Sequence, residues 1–237
     1  METLYNLLDP FIAFERFPPI QLVFLGFGLI FWILAYKEIL QGIRKYKLVE
    51  MPVIVAALDI SWEFNWAFVL KNELGLLFSF GCAIWFFMDV FINYNTLRYG
   101  RKLVTNPWIK QVYPWIYVFV LVGGLSMTYF LREKAADNGL GVISAYFINL
   151  LISSLYIYQL LTYPHLRNNG FSYKVAWNKF LGTGSITVVC FMHWYTNGYL
   201  LTMCSMVFIM DITYIWLFKN YQPREMETTA VVQPADV

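Results

Sequence analysis

Apolar residues recur in seven long runs along the chain, and short polar segments separate these runs. Each run has about the 20 residues that an α-helix needs to cross a bilayer. The runs cover 20–40, 51–70, 74–94, 112–131, 140–162, 176–195 and 198–218. Gly182, Thr183 and Gly184 dilute the sixth run, and such small residues favour close packing between membrane helices. The pattern predicts an all-α bundle of seven transmembrane helices as one domain, 1–222, followed by a disordered cytoplasmic tail, 223–237.

Composition supports a multi-pass membrane protein embedded in the lipid bilayer. Hydrophobic residues make up 59% of the chain and charged residues 14%, and the mean hydropathy is +0.54. Soluble domains are usually ~45–50% apolar and ~25% charged. No basic stripe stands apart from the loops, so we expect no nucleic-acid partner, and no obligate protein partner is evident. The three cysteines lack metal-binding spacing, so we expect neither a metal nor another cofactor.

The basic residues are sorted by loop, which predicts an orientation. Of the 17 Lys and Arg residues, 13 fall in alternate connections and four on the opposite side. Cytoplasmic loops carry the excess of positive charge, so the N-terminus is predicted to be lumenal or periplasmic and the C-terminus cytoplasmic. The larger group is Lys37, Arg44, Lys45, Lys47, Arg98, Arg101, Lys102, Lys110, Arg167, Lys174, Lys179, Lys219 and Arg224.

Four acidic residues lie well inside the apolar runs, at least five residues from either end: Asp59, Glu63, Asp89 and Asp211. A charge at bilayer depth costs at least ~2.5–3.5 kcal/mol on insertion scales, so such residues are functional-site candidates by default. At a rise of ~1.5 Å per residue, all four lie in the predicted cytoplasmic half or near the midplane. Because they share this depth on three helices, we expect them in one cavity that opens to the cytoplasm.

The types of residue around these acids indicate carbocation chemistry. Asp59 and Glu63 are i, i+4 neighbours on one helical face, and two carboxyls this close should keep one proton between them. Aromatic faces stabilise cations by ~0.5–2 kcal/mol without trapping them as nucleophiles would. The aromatic residues predicted to support this site are Trp62, Trp66, Trp85, Tyr94 and Tyr214.

Several of these polar residues have structural explanations as well. Asp89 is equally explained by pairing with Arg98, and Asp59 by orienting Glu63 through hydrogen bonds. The fifth run carries a polar stripe on one helical face, which predicts either a lining for substrate or hydrogen bonds between helices. The stripe consists of Tyr146, Asn149, Ser153 and Tyr156.

Motifs spread over nearly the whole chain carry a family resemblance. They are Met51-Pro52, Ser61-Trp62-Glu63-Phe64, Trp85…Asp89…Tyr94…Tyr99-Gly100, Trp177…Phe180-Leu181-Gly182-Thr183-Gly184 and Asp211…Tyr214. In these the chain resembles the integral-membrane terpene cyclases of fungal meroterpenoid and indole-diterpene biosynthesis. It departs from them at Asp59, where fungal members commonly carry Asn, and its composition also suits a bacterial relative.

The resemblance implies a function and a pair of catalytic residues. The acidic pair proposed for this family falls on Glu63 and Asp211. We therefore expect a non-metal, acid-initiated cyclase of isomerase or lyase type, which protonates an epoxide or alkene of a prenylated substrate. A proton-coupled transporter or channel is the chief alternative, because buried carboxylates also build proton relays. A retinal protein would need a lysine midway along the seventh helix, and a scaffold leaves four buried acids unexplained.

Overall fold

The computed structural model describes residues 11–221 and folds them into seven helices. They are α1 Pro19–Tyr46, α2 Val53–Phe64, α3 Leu76–Tyr99, α4 Pro107–Glu133, α5 Val142–Thr162, α6 Tyr173–His193 and α7 Gly198–Asn220. A π-helical turn, Asn65–Val69, extends α2. Short 3-10 turns follow α3 at Gly100–Leu103 and α5 at Pro164–Leu166. Each predicted run overlies one helix, and the described part of the chain contains no sheet, so the predicted all-α seven-helix fold is confirmed.

Five of the helices are long and apolar enough to cross a membrane unaided: α1, α3, α4, α5 and α7. The exceptions are α2, which has only 12 residues before its π-helical turn, and α6, which carries small polar residues. Each packs against neighbouring helices: α2 against α3, α4 and α5, and α6 against α1 and α7. Glu63 of α2 and Lys179 of α6 are each only 3% exposed, so these two charged groups lie between helices, where membrane proteins accommodate them.

The helix order around the bundle places α2 between the candidate site and α4. Packing contacts connect α1, α3, α2, α5, α7 and α6 into a closed ring, and α4 lies outside the ring against α2. The α2–α4 contact is close because Gly124 has no side chain: a Cβ there would lie 2.9 Å from the Ser61 hydroxyl oxygen. The ring encloses the candidate site described below.

Alternate connections meet at the same end of the bundle. At the N-terminal end, where the described chain begins, Ala13 donates to the Leu74 carbonyl at 2.8 Å and Glu73 to that of Gly139 at 2.9 Å. At the C-terminal end, the Tyr163 hydroxyl donates to the Leu103 carbonyl at 2.8 Å. Which end faces the cytoplasm stays a prediction, and the predicted disordered tail lies outside the described residues.

Glycines let α1 and α6 approach each other closely. A Cβ at Gly182 would lie 2.8 Å from Cδ1 of Trp32, and one at Gly28 would lie 2.7 Å from Cγ1 of Ile186. The predicted close packing in the sixth helix is thus confirmed at Gly182. It is wrong at Gly184, where a Cβ would meet no atom within 4 Å.

Candidate active site

Two adjacent cavities inside the ring form one chamber with an apolar body and an acidic end. The larger cavity has a volume of about 200 Å³ and the smaller about 80 Å³. They share six lining residues, which come from α1, α2, α3, α5 and α6: Trp32, Trp62, Trp85, Ala145, Asn149 and Ile186. We call this space the chamber; its smaller cavity holds the carboxyl groups.

The chamber extends away from the predicted cytoplasmic side. Its apolar body reaches Ile12, Leu74 and Leu140, which belong to the segments that meet at the N-terminal end of the bundle. In the predicted orientation this end is lumenal or periplasmic, so the predicted orientation and the predicted opening to the cytoplasm do not agree with each other. Depth along a helix can be counted from the sequence, but the direction in which a cavity continues depends on how the helices pack.

The acidic end of the chamber is built on α1 and α2. Asp59 and Glu63 both line the smaller cavity, as their i, i+4 spacing predicted. Tyr36 of α1 lies between them: its hydroxyl donates to Glu63 Oε1 at 2.8 Å and lies 3.4 Å from Asp59 Oδ2. Asp89 of α3 is fully buried behind Glu63, and the two carboxyl groups are within hydrogen-bonding reach of each other. We call these four residues the acid cluster.

The hydrogen bonding of the acid cluster is incomplete unless a carboxyl proton is present. Glu63 Oε2 and both carboxyl oxygens of Asp89 are buried, and no described residue donates to them. Buried polar atoms are nearly always hydrogen-bonded, and two bare carboxylates in contact repel each other strongly in a low dielectric. A proton shared between Glu63 and Asp89 supplies the missing donor and removes the repulsion. The geometry therefore suits a neutral carboxylic acid at this place.

Asp89 does not form the ion pair with Arg98 that the sequence suggested. The Arg98 guanidinium lies over the Tyr99 ring, 5.2 Å from its centroid. The structural explanation of Asp89 by an Arg98 ion pair is therefore wrong, and the residue belongs to the acid cluster.

Asp211 lies apart from the acid cluster, in a buried ion pair. Lys179 Nζ of α6 is 2.6 Å from Asp211 Oδ1 and 2.8 Å from Oδ2, and the two side chains are only 3% and 5% exposed. The Ser153 hydroxyl lies within 2.8 Å of the ammonium and 2.7 Å of Oδ1, so it completes the pair. Asp211 is not among the residues found to line the chamber. The prediction that all four acids share one cavity is therefore wrong for Asp211, because its partner on a neighbouring helix holds it elsewhere. It is also wrong for Asp89, which lies behind Glu63 and does not line the chamber.

Tryptophan side chains cover the chamber wall next to the acids. Trp62 and Trp85 line both cavities, as predicted. The Trp62 indole is held in place because its N–H donates to the Ser144 hydroxyl oxygen at 2.9 Å and to the Gly141 carbonyl at 3.2 Å. Ser144 in turn bonds to Asp137, a carboxyl in the α4–α5 connection whose pKa is raised by burial. The ring that faces the chamber thus has a fixed orientation.

Three aromatic residues predicted for the site lie elsewhere. Tyr94 is 61% exposed on the outer surface of α3, so the prediction that it supports the site is wrong. Trp66 is fully buried, and its ring centroid lies 6.0 Å from that of Trp62. Tyr214 is buried at the C-terminal end of the bundle, where its hydroxyl donates to Glu50 Oε1 at 3.4 Å. Trp66 and Tyr214 are thus packing and hydrogen-bonding residues rather than chamber lining.

Residues of the polar stripe on α5 serve both predicted roles, which are lining for substrate and hydrogen bonds between helices. Tyr146 and Asn149 line the chamber, and the Tyr146 hydroxyl also lies 2.7 Å from the Thr187 hydroxyl oxygen. Ser153 bonds to the ion pair and to the Asn149 carbonyl at 2.9 Å. The stripe therefore connects the chamber wall to the Asp211–Lys179 pair.

Sequence reasoning missed three residues at or near the site. Tyr36 and Trp32 of α1 lie in an apolar run with no polar pattern to mark them. Lys179 is counted above among the loop cations, although it lies inside the sixth predicted run. A lysine inside an apolar run is itself a signal that the residue belongs to a buried polar site. Without Lys179 in the count, the excess of Lys and Arg on one side of the membrane remains, so the predicted orientation does not change.

A further buried carboxyl, also missed, lies outside the spanning helices. Glu50 connects α1 to α2 and is 3% exposed. Its two carboxyl oxygens accept from the Ser172 backbone N–H at 3.3 Å, at the start of α6. Burial raises the pKa of Glu50 to about 8, and the hydrogen bonds from Ser172 and Tyr214 oppose this shift. Within residues 11–221, no Lys or Arg lies within ion-pair distance of Glu50 and no second carboxyl bonds to it.

Comparison with known proteins identifies the class. The family model of Pyr4-like transmembrane terpene cyclases matches residues 8–224. The Pyr4-family terpene cyclase mfmH of Annulohypoxylon moriforme is 23% identical, over 88% of this chain and 91% of that protein. The terpene cyclase spyD of Aspergillus fumigatus is 22% identical, over 86% of this chain and 90% of its own length. No solved structure matches.

The chain belongs to the Pyr4-like transmembrane terpene cyclases, because the family model covers nearly all of it. It is therefore a multi-pass membrane enzyme with a prenyl-type substrate, as the sequence predicted. This result decides between a cyclase and the alternative of a proton-coupled transporter or channel.

Proposed function

We propose that this enzyme starts cyclisation by protonating its substrate from Glu63, without a metal ion. The observation that carries the proposal is the position of Glu63 at the border between the acid cluster and the apolar chamber. Glu63 lines the cavity, while its carboxyl contacts Tyr36 on one side and Asp89 on the other. A neutral carboxylic acid beside an apolar space is a general acid without competing water.

The proposed reaction conserves atoms and charge. The Glu63 proton is transferred to the oxygen of a terminal epoxide, whose C–O bond opens, or to the terminal alkene. Neighbouring double bonds of the prenyl chain then attack the cation and close rings. The last cation loses a proton to water or to a carboxylate of the acid cluster, so the product of proton-initiated closure is an isomer of the substrate. Trp32, Trp62 and Trp85 present ring faces that stabilise the intermediate cations.

We assign Asp211 a different part in the same reaction. Its carboxylate is neutralised by Lys179, so it has no proton to give, and it lies behind the wall that Asn149 lines. Ser153 connects the ion pair to the Asn149 backbone. Asp211 is therefore a positioning residue that holds α5, α6 and α7 together beside the chamber.

The test is cyclisation by membranes that contain the Glu63→Gln variant. The amide keeps the shape and the hydrogen bond to Tyr36 but has no acidic proton. General acid catalysis typically supplies ~10²–10⁴-fold, so product from epoxidised and plain prenylated acceptors should fall by at least this factor. Glu38→Gln, the same change on α1 at a residue paired with Lys174, is the matched control and should keep wild-type turnover. Near-normal turnover by folded Glu63→Gln would overturn the proposal.

A further inference from the structure

We infer that the seam between α1 and α3 is a lateral portal through which a prenyl chain passes from the bilayer into the chamber. The inference rests on the proposed function, because it takes a prenyl chain as the substrate. The portal is defined by Leu25, Gly26 and Leu29 of α1 and by Leu77, Phe78 and Gly81 of α3.

Both helices present a continuous face to the chamber, and each face ends at the acid cluster. The lining positions recur at spacings of three and four, as one helical face requires. On α1 the face runs through Leu22, Leu25, Leu29 and Trp32, and on α3 through Leu77, Phe78, Gly81 and Trp85. One turn further, the α1 face reaches Tyr36 and the α3 face reaches Asp89. A chain that slides inward along the seam therefore meets the acid at its leading end.

The portal is only loosely closed by side chains. Leu77 lines the chamber and is also 47% exposed on the outside of the bundle. Gly26 lines the chamber too, and a Cβ at this position would meet no atom within 4 Å. One turn further in, a Cβ at Gly81 would lie 3.6 Å from Cδ1 of Leu29, which is an ordinary contact. The seam on the other side of α1 is much tighter, because a Cβ at Gly28 would clash with Ile186 at 2.7 Å.

The chemistry of the seam fits a lipid-soluble chain rather than a water-soluble group. All six portal residues are apolar, and so is nearly the whole body of the chamber. A prenyl chain partitions into the hydrocarbon, because the transfer of each CH₂ out of water is favourable. Passage from the bilayer into the chamber then exchanges one apolar surface for another and needs no exposure to water. The end of the substrate that bears the epoxide or alkene would enter first.

The first test narrows the portal with Gly26→Leu. The new side chain has open space, so the fold should persist, but it occupies the mouth of the seam. Turnover at limiting substrate should fall roughly tenfold, with a much smaller change at saturation, because access rather than chemistry is slowed. The matched control is Gly184→Leu, another half-buried glycine with no atom within 4 Å of a Cβ, on α6 and outside the chamber lining. Equal turnover of Gly26→Leu and Gly184→Leu would contradict the portal.

The second test does not depend on cyclisation. A farnesol that carries a diazirine on its chain is irradiated in membranes containing the wild-type protein, and the modified peptides are mapped by mass spectrometry. Adducts should concentrate in 22–32 and 77–85, and Gly26→Leu should reduce them while Gly184→Leu does not. Adducts spread evenly over the lipid-facing helices, or unchanged in Gly26→Leu, would overturn the portal. If labelling follows this pattern but no variant of the acid cluster affects turnover, the proposed acid mechanism fails and the portal stands.

Discussion

Glu63 and Asp211 are both carboxyl groups buried inside the helical bundle, and the resemblance assigned them to one catalytic pair. Their surroundings differ completely. Glu63 contacts the Tyr36 hydroxyl and a second carboxyl, Asp89, and it lines the chamber. Asp211 contacts the Lys179 ammonium at 2.6 Å. A carboxyl beside another carboxyl favours the neutral acid, whereas a carboxyl beside an ammonium favours the anion.

The difference shows how two acids that a family resemblance assigns to one pair can act in different ways. In the proposed mechanism, loss of Glu63 removes the proton donor but leaves no buried charge unpaired. Loss of Asp211 leaves the buried Lys179 ammonium with the Ser153 hydroxyl but without its carboxylate. Activity alone does not separate these two effects, whereas folding stability and matched variants do.

The largest effect is expected from Lys179→Met. This change leaves the Asp211 carboxylate buried without its cation, and breaking such a pair from one side usually costs about 3–5 kcal/mol of folding stability. Lys179→Met/Asp211→Asn removes both charges and should recover most of that loss. Thermal unfolding in detergent measures the two variants side by side. A Lys179→Met variant as stable as the wild type would contradict the ion pair as a structural element.

A second prediction concerns Glu50, which has neither an ammonium partner like that of Asp211 nor a carboxyl partner like that of Glu63. The pKa of Glu50 is raised from 4.5 to about 8 by burial, so the folded protein holds this proton more tightly than the unfolded chain. Its contribution to stability is therefore fully present below about pH 4.5 and is lost as the pH rises towards 8. Glu50→Gln should remove this dependence and gain on the order of a few kcal/mol relative to the wild type above pH 8.

The measurement is the unfolding midpoint of the wild type and Glu50→Gln from pH 5 to pH 9. The glutamine oxygen still accepts from the Ser172 N–H, so the start of α6 keeps its hydrogen bond. Parallel pH profiles of the two proteins would show that Glu50 is not a neutral acid in the fold.

The smallest effect is expected from Trp62→Leu, which removes one aromatic face beside Glu63 and keeps the acid. A cation–π contact contributes ~0.5–2 kcal/mol, so the rate should fall roughly 2- to 30-fold, and incompletely cyclised products should increase. Trp115→Leu, at an exposed position on α4, is the control and should leave the product profile unchanged. An unchanged profile in Trp62→Leu as well would remove the indole from the proposed mechanism.

The sequence predicts much of this molecule, because insertion energetics constrain it strongly. The hydrophobic runs match seven helices, and the cost of a carboxylate in hydrocarbon marks Asp59, Glu63, Asp89 and Asp211 as unusual. The i, i+4 spacing places Asp59 and Glu63 together without any knowledge of neighbours. Each of these inferences uses only the geometry of a single helix.

What the sequence does not predict depends on the rotation and packing of different helices. Tyr94 has a suitable depth beside Asp89, but the rotation of α3 turns it outward. Asp211 shares its depth with the other acids, yet Lys179 on a different helix holds it in another place. The direction of the chamber likewise follows from the loose contact between α1 and α3, and no pattern within either helix indicates that contact.

Infrared spectroscopy of the buried carboxyl groups tests the central claim most directly. A protonated carboxyl in an apolar site has a carbonyl stretch that is separate from those of carboxylates and the backbone. Because Glu50 is also protonated at neutral pH, the comparison is made in the Glu50→Gln background. The account predicts that this protein in detergent shows the band, that adding Glu63→Gln removes it because the Gln amide donates to Asp89, and that adding Lys179→Met/Asp211→Asn retains it. A band that persists in Glu63→Gln and disappears in Lys179→Met/Asp211→Asn would show that Asp211, and not Glu63, carries the proton.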